Sequence, residues 1–301
     1  MATGAKQILM EDLSDCVQLG YFYGPGNPNN WGKDLEKLTS SVGVSVDDKS
    51  TSVEHLTQLC FSAAAKLHSC FWGCKALLPA VDSRPSGASS ASLALGPAAW
   101  LRGAGWLVGC DRDAWEGSQK GVRDMWAEAR EKKDVMWDPL LVGCVDAAIA
   151  KTNWETFQTE LKTRPFTLTH GDFHPANFMV RPSMQLALID WEIIGLGSGP
   201  QDLGQFLISH ADPLVRAQIE RSAVKAYYDE LIELHPEISQ DLSFEGCWRE
   251  YVDGGLGRWL WFVPLLTNMC PPKMAQFFHD QVVAFMKTHG VTPESVPMPR
   301  A

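Results

Sequence analysis

Residues 169–178 read Thr-His-Gly-Asp-Phe-His-Pro-Ala-Asn-Phe, and residues 189–192 read Ile-Asp-Trp-Glu. Three short β-prone pieces lie at 166–169, 178–180 and 186–189, and polar loops separate them. These pieces predict a small β-ribbon near the middle of the chain. The polar side chains of both motifs fall in or beside the loops of that ribbon.

The spacing of three polar residues on this ribbon suits phosphoryl transfer. Moving a phosphoryl group from ATP to a hydroxyl needs a carboxylate that orients the hydroxyl and accepts its proton, and oxygen ligands that hold Mg²⁺. Asp172 is a candidate for the first role, and Asn177 and Asp190 for the second. Asn177 lies five residues after Asp172, so one tight loop can carry both. Asp190 lies thirteen residues further on, which is enough for a short hairpin to return its carboxylate to the loop.

The rest of the chain shows the apolar periodicity of α-helices. Apolar residues repeat at intervals of three and four over 53–71, which predicts one amphipathic helix. Turn-forming residues predict a loop over 24–51, and a Ser-, Gly- and Ala-rich stretch predicts a flexible loop over 82–97. Further helices are predicted at 113–132, 139–162, 201–210, 213–234, 244–266 and 271–288. The sequence therefore predicts a helical body around a small ribbon.

The composition limits the classes of function. The chain has 301 residues, of which 45% are hydrophobic, so it can bury a core. Its net charge of −10 argues against nucleic acid or an anionic membrane as the main partner. We expect no secretory signal, because the chain does not open with a charged stub and an apolar core. We expect no membrane span, because the longest apolar run, 256–266, is short and contains Arg258 and Pro264. Eight irregularly spaced cysteines lack the paired spacing of a zinc site and predict reduced thiols in a cytoplasmic protein.

The two central motifs together resemble a known signature. His170-Gly-Asp172 with Asn177, followed by Ile189-Asp-Trp191, resembles the signature of the aminoglycoside phosphotransferase and choline-kinase-like superfamily. The protein-kinase catalytic loop and its magnesium aspartate keep the same order of Asp, Asn and Asp. The sequence Ile189-Asp-Trp-Glu192, with the Gly-rich stretch after it, resembles the ecdysteroid-kinase-like branch. The resemblance implies an α+β fold: a protein-kinase-like large lobe that is mostly helical, with the β-ribbon at the active site.

The resemblance also implies a role for each motif residue. Asp172 corresponds to the catalytic base, and Asn177 and Asp190 to the ligands of Mg²⁺, with ATP as the phosphoryl donor. His170 corresponds to a residue that braces the loop rather than one that moves a proton. Asp202, in the first turn of the next predicted helix, corresponds to an anchor of the catalytic loop. An aspartate at a helix N-terminus is also favoured by the helix dipole alone.

The start of the chain resembles the hinge between the two lobes of these kinases. Six residues precede this segment, 7–13, whereas the superfamily places a small nucleotide-binding lobe there. We therefore expect 1–13 to be a remnant of the small lobe and hinge, and 14–295 to be the large lobe with the catalytic loop and acceptor pocket. The candidate nucleotide-hinge residues are Met10, Glu11, Asp12 and Leu13.

Two other interpretations of the central motif remain open. Asp172 and Asn177 are residue types that favour turns for local reasons alone. His170, Asp172 and His174 alternate, so on a strand all three would face one metal, as in a metal-dependent hydrolase. Gly171 favours a loop at this point instead.

The sequence thus predicts an ATP-dependent kinase of a small-molecule hydroxyl, such as an amino sugar, an amino alcohol or a lipid-like alcohol. Without a nucleotide lobe the chain would be inactive alone, so a truncated, non-catalytic kinase-fold binding module is the main alternative. The exposed lobe interface near Leu9, Leu13 and the ribbon 178–189 predicts self-association. In these kinases the late helices form the acceptor pocket. Aromatic residues on such helices are more often part of the core than of a pocket. The candidate aromatic residues of the late helices are Trp248, Trp259, Trp261 and Phe262.

Overall fold

The computed structural model describes five main ranges and two single residues: 11–40, 43, 49–78, 98, 100–162, 164–182 and 184–300. Over these residues the chain is mostly helical and has two small antiparallel sheets, which confirms the predicted mixture of a helical body and a little β-structure. The predicted loop at 82–97 and the hinge candidate Met10 lie outside the described residues. Within the described ranges, no helix is both long and apolar enough to cross a membrane.

The described elements, apart from short 3-10 turns, follow one another along the chain as β1 Val17–Gln18, α1 Leu35–Ser40, α2 Val53–Phe71, α3 Ala104–Leu107, α4 Arg112–Ala129, α5 Pro139–Lys151, α6 Trp154–Leu161, β2 Thr167–Thr169, β3 Phe178–Val180, β4 Leu186–Leu188, β5 Gly195–Gly197, α7 Gly199–His210, α8 Pro213–Leu234, α9 Ile238–Asp241, α10 Phe244–Met269 and α11 Pro272–His289.

The predicted ribbon is divided between two sheets. Strands β1, β3 and β4 form a three-stranded antiparallel sheet, in which Phe178 pairs with Leu188. Strand β2 pairs instead with β5, so that Thr169 lies opposite Gly195. The sequence did not predict β5, because glycine has little β-propensity. Gly195 is required there by a close approach, since a Cβ would lie 2.6 Å from the carbonyl oxygen of Arg102.

Helix boundaries agree with the sequence where the periodicity is long and differ where a local cap intervenes. Helices α2, α7, α8, α10 and α11 lie within three residues of their predicted bounds. The helix predicted over 139–162 is two helices, because Asn153 accepts a 2.9 Å hydrogen bond from the backbone of Thr156 and caps α6. Helix α1 lies in the predicted loop 24–51, where Asp34 accepts a backbone hydrogen bond of its first turn.

A close contact between α7 and α10 organises the middle of the core. A Cβ on Gly204 would lie 2.4 Å from the carbonyl oxygen of Tyr251, and one on Gly255 would lie 2.5 Å from the Cα of Gly204. Both positions therefore need glycine, and the two backbones touch. This contact brings the polar face of α7 and the buried part of α10 together beneath the loop that follows β2.

Candidate active site

The loop between β2 and β3 has a backbone that its sequence explains. Gly171 has φ 81°, and a Cβ there would lie 2.5 Å from the carbonyl oxygen of Ile193, so only glycine fits. His174 caps the short turn Pro175–Asn177 by accepting a 3.2 Å hydrogen bond from the backbone of Ala176. The segment is therefore a tight loop, as predicted, rather than a continuation of strand β2.

Both carboxylate oxygens of Asp172 are held by neighbouring side chains. Gln205 on α7 donates to Oδ1 over 3.0 Å, and Asn177 donates to Oδ2 over 3.1 Å. Nε2 of His174 lies 3.3 Å from the same Oδ2. Burial raises the pKa of Asp172, but the contacts from His174 and Asn177 and the charge of Arg258 outweigh burial and bring this pKa to about 2. The carboxylate is ionised and fixed in orientation at neutral pH.

His170 joins the loop to the segment that carries Asp190. Its Nδ1 accepts a 3.3 Å hydrogen bond from the backbone N–H of Asp172, so the ring proton lies on Nε2, which donates to the carbonyl of Ile189 over 2.9 Å. The backbone N–H of His170 donates to Asp202 over 2.8 Å. Both ring nitrogens are engaged, so neither is open to a metal, which disfavours the hydrolase alternative.

Asp202 ties the loop to the helical body. It is fully buried in the first turn of α7, and its Oδ2 accepts from the loop while lying 3.5 Å from Nε2 of His68 on α2. Nδ1 of His68 hydrogen-bonds the hydroxyl of Tyr227 on α8 over 2.9 Å. Asp202 therefore joins the loop to α2 directly and to α8 through His68. The sequence predicted the contact with the loop but not the contact with His68.

Asn177 and Asp190 present oxygen atoms on adjacent backbone segments. The side-chain N–H groups of Asn177 go to the carbonyl and to Oδ2 of Asp172, which leaves its Oδ1 for a cation. The backbone N–H of Ile189 donates to the carbonyl of Asn177 over 2.9 Å, so Asp190 follows directly after a residue paired with Asn177. Asp190 is exposed and has φ 63°, a left-handed conformation that is costly for a residue with a side chain.

This donor set is of the kind that Mg²⁺ uses. Magnesium takes oxygen ligands and is bound through one or two carboxylates together with substrate phosphates. The described residues contain no group of three or more His, Cys, Asp or Glu side chains that could hold a metal ion. One amide oxygen and one carboxylate, beside the ionised Asp172, are too few to enclose a metal ion by themselves. They suit a metal ion that is bound together with the phosphates of a substrate.

Arg258 was not among the sequence candidates. It is 1% exposed, its Nη2 donates to the carbonyl of Gly171 over 2.6 Å, and its Nη1 donates to the carbonyl of Arg300 over 3.3 Å. Burial, with the nearby charge of Arg102, lowers the pKa of Arg258 to about 9. A single arginine within the apolar run 256–266 was the available signal, because a buried cation needs partners.

Gln205 was also missed, although it lies in a stretch that contains the candidate Asp202. The two residues are three positions apart on α7 and so lie on the same side of the helix. Gln205 is 2% exposed and holds Oδ1 of Asp172. The available signal for Gln205 was an amide side chain on the same face of the predicted helix as Asp202, the residue that anchors the loop.

A cavity of about 310 Å³ lies beside Asp172 between α7, α10 and α11. Of the four late-helix aromatics, Trp259 and Phe262 line it, whereas Trp248 stacks on Tyr251 away from the cavity. Trp261 is also absent from the lining. The lining residues are Asn29, Asp172, His174, Gln205, Ser209, His210, Trp259, Phe262, Leu265, Leu266, Cys270, Met274 and Phe278.

The described hinge candidates lie at the far end of strand β3 from the catalytic loop. Glu11 accepts a 2.7 Å hydrogen bond from Arg181, which follows the last residue of β3. Asp12 accepts from the backbone of Ser14 over 2.9 Å, which lowers the pKa of Asp12. Leu13 is partly buried. The structure therefore attaches this segment to the ribbon, and its role as a nucleotide hinge stays a prediction.

Comparison with known proteins agrees with the resemblance seen in the sequence. A choline/ethanolamine kinase family protein from Mesorhizobium loti is 15% identical over 77% of this chain and 82% of its own, but the TM-score of 0.16 is too low to establish a shared fold. No curated protein sequence matches the chain. The model of the phosphotransferase enzyme family APH matches residues 53–234, which is more than half of the chain and includes the catalytic loop, Asp190 and Asp202. The chain therefore belongs to the APH phosphotransferase family.

Proposed function

We propose that the chain transfers the γ-phosphoryl group of ATP to a hydroxyl of a small molecule. The observation that carries this proposal is the carboxylate of Asp172, which is held ionised by three side chains at the wall of a cavity of about 310 Å³. Family membership supports a phosphotransferase in general terms. The donor, the acceptor and the roles of individual residues belong to this proposal.

Asp172 acts by orienting the acceptor hydroxyl and taking its proton. The hydroxyl oxygen attacks the γ-phosphorus, the bond to the bridging oxygen of ADP breaks, and the proton passes to the carboxylate. A carboxylate with a pKa of about 2 is a weak base, so its main contribution is to fix the geometry of attack. Gln205 and Asn177 hold the two oxygens in place, and His170 and Asp202 hold the loop.

Oδ1 of Asn177 and the carboxylate of Asp190 are the atoms that would hold Mg²⁺. When bound there, the ion supplies positive charge against the phosphates of the nucleotide. The rare backbone conformation of Asp190 supports a functional role, because strained residues cluster at functional sites. Met10, Glu11, Asp12 and Leu13 serve as the hinge to a nucleotide lobe, and residues 14–295 form the large lobe.

A non-catalytic binding module of the same fold is the second candidate. The observation that favours it is that the residues described before α2 contain one strand, the two-residue β1, rather than a nucleotide-binding sheet. Under this proposal the cavity still binds a ligand, while phosphate transfer is lost. The two candidates make opposite predictions about the binding of nucleotide.

Binding of magnesium–ATP, measured by calorimetry, distinguishes the two candidates. The chain should be compared with a version extended into any upstream coding sequence, and each form should be tested for ADP release with a panel of alcohols. We expect binding and transfer in a form that includes the nucleotide lobe, and the loss of transfer in Asp172→Ala. Asp113→Ala, an exposed aspartate on α4, is the matched control. Absence of nucleotide binding in both forms would refute the kinase and favour the non-catalytic module.

Location and assembly are further parts of the proposal. The eight cysteines are all unpaired, which suits the reducing cytoplasm. Self-association through the lobe interface would use the partly buried Leu13, Leu186 and Leu188, since Phe178 and Val180 of the ribbon are buried in the core, and Leu9 lies outside the described residues. Sedimentation across a range of protein concentrations would test it, and a single monomeric species at all concentrations would refute it.

A further inference from the structure

The cavity beside Asp172 is lined mainly by apolar side chains. Among the described residues, its lining contains one carboxylate, that of Asp172, and no lysine or arginine. Its volume of about 310 Å³ lies at the small end of the roughly 300–1,000 Å³ typical of small-molecule sites. The apolar part of the lining consists of Trp259, Phe262, Leu265, Leu266, Cys270, Met274 and Phe278.

The histidines of the lining are engaged with one another and with their neighbours. Nε2 of His210 accepts from Asn29 over 3.2 Å, and its Nδ1 donates to Ser209 over 2.8 Å. The ring of His174 stacks on that of His210, with centroids 5.4 Å apart. Burial, and then the proximity of His174, lowers the pKa of His210 well below its usual value, so this ring is neutral at neutral pH. Asn29, Ser209 and the two histidines form the polar end of the cavity beside Asp172 and add no negative charge to it.

The site is also poorly suited to a cation. The guanidinium of Arg258 lies 4.7 Å from the centre of the Phe262 ring, so one face of this ring already holds a positive charge. Trp259 packs against Phe262 at 5.7 Å and against Phe278 at 5.4 Å, so these rings contact one another rather than form an open cage. Asp172, the only carboxylate among the described lining residues, already contacts three side chains.

We infer that the acceptor is an uncharged, largely apolar alcohol, rather than an amino sugar or a quaternary ammonium alcohol. This inference rests on the proposed function, because it places the reacting hydroxyl at Asp172. The apolar part of the alcohol then lies against Trp259, Phe262 and Phe278, where burial of apolar area supplies the affinity.

Calorimetry on the full chain without nucleotide tests this inference directly. The probes are naphthylethanol, which is uncharged and aromatic, and choline and glucosamine, which are cationic. We expect naphthylethanol to bind at least roughly tenfold more tightly than either cation, which corresponds to about 1.4 kcal/mol. Absence of naphthylethanol binding in the millimolar range, or tighter binding of choline or glucosamine, would overturn the inference.

Two variants locate the binding in this cavity. Leu265→Trp fills the space and should weaken naphthylethanol at least roughly tenfold, whereas Leu234→Trp, at a 48% exposed position on α8, should leave it unchanged. Circular dichroism checks that both variants are folded. Met274→Glu places a carboxylate in the lining and should weaken naphthylethanol while strengthening choline. Unchanged naphthylethanol affinity in both cavity variants would show that the probe binds elsewhere and would overturn the assignment.

The failure of this inference is distinguishable from failure of the proposed function. Binding of naphthylethanol without any phosphoryl transfer, in a form that binds magnesium–ATP, would support the apolar site and refute the kinase. Transfer to choline or glucosamine, but not to naphthylethanol, would support the kinase and refute the apolar acceptor.

Discussion

The side-chain amide of Gln205 donates a 3.0 Å hydrogen bond to Oδ1 of Asp172, on the opposite side of the carboxylate from Asn177. Gln205 lies on α7 and Asp172 lies in the loop after β2, so this bond joins the helical body to the candidate catalytic group. The orientation of the carboxylate therefore depends on the position of α7 as well as on the loop.

Replacement of Gln205 should change the catalytic step and its pH dependence. Gln205→Ala frees one carboxylate oxygen, and we expect kcat to fall about tenfold, since misplacement of a reacting group is costly. Gln205→Glu puts a second carboxylate at this point and should raise the pKa of Asp172 above its value of about 2. The acidic limb of the pH–rate profile should then move to higher pH. An unchanged profile in Gln205→Glu, with Gln205→Ala fully active, would show that the contact has no role in catalysis.

Replacement of Asp190 by glycine should abolish phosphoryl transfer without lowering the stability of the fold. Asp190→Gly removes the proposed magnesium ligand and should abolish transfer, while Gly adopts the observed φ of 63° without strain. We expect the free energy of unfolding to stay the same or to rise by up to about 1 kcal/mol. Urea unfolding and a magnesium titration of transfer measure the two effects. A clear loss of stability would identify Asp190 as a structural residue.

The contact between α7 and α10 should not tolerate a methyl group. Gly204→Ala would place its Cβ 2.4 Å from the carbonyl oxygen of Tyr251, so the helices must separate, and we expect a loss of about 3 kcal/mol. Gly121→Ala on α4 is the matched control, because no atom lies within 4 Å of the added Cβ. This control should be stabilised by up to about 1 kcal/mol through helix propensity. Equal melting temperatures for the two variants would contradict the contact.

Glu250 should make the stability of the fold depend on pH below neutrality. It is ion-paired with Arg300 at 2.9 Å and lies 3.6 Å from Arg164. Burial raises its pKa, but the charges of Arg300 and Arg164 outweigh burial and lower the pKa from 4.5 to about 2. Because the folded-state pKa is depressed, the stabilisation is fully present above pH 4.5 and is lost as the pH falls towards 2, by about 3 kcal/mol in total.

Urea unfolding between pH 2 and pH 6 measures this dependence. Glu250→Gln should be less stable than the native chain at pH 6 and should lose part of the slope between pH 4.5 and pH 2. Glu245→Gln, at an exposed position on the same helix, is the control and should keep the native slope. The same slope in Glu250→Gln and in the native chain would contradict the role of this ion pair.

The sequence by itself determined the local part of the site. Asp172 and Asn177 lie five residues apart, and a loop of that length returns the amide to within 3.1 Å of the carboxylate with few alternatives. The long helices could likewise be predicted, because apolar periodicity over many residues identifies the buried face of a helix. Strand β5 could not be predicted, because it depends on a close contact at one glycine. The break between α5 and α6 could not be predicted either, because it depends on one helix cap.

Only the tertiary structure decided which distant residues complete the site. Gln205 and Arg258 reach the catalytic loop because α7 and α10 touch at Gly204 and Gly255. Such contacts join segments far apart in the chain, so no spacing within a motif encodes them. The packing of the helices fixes them, and with them the side chains that hold the carboxylate of Asp172 and the walls of the cavity beside it.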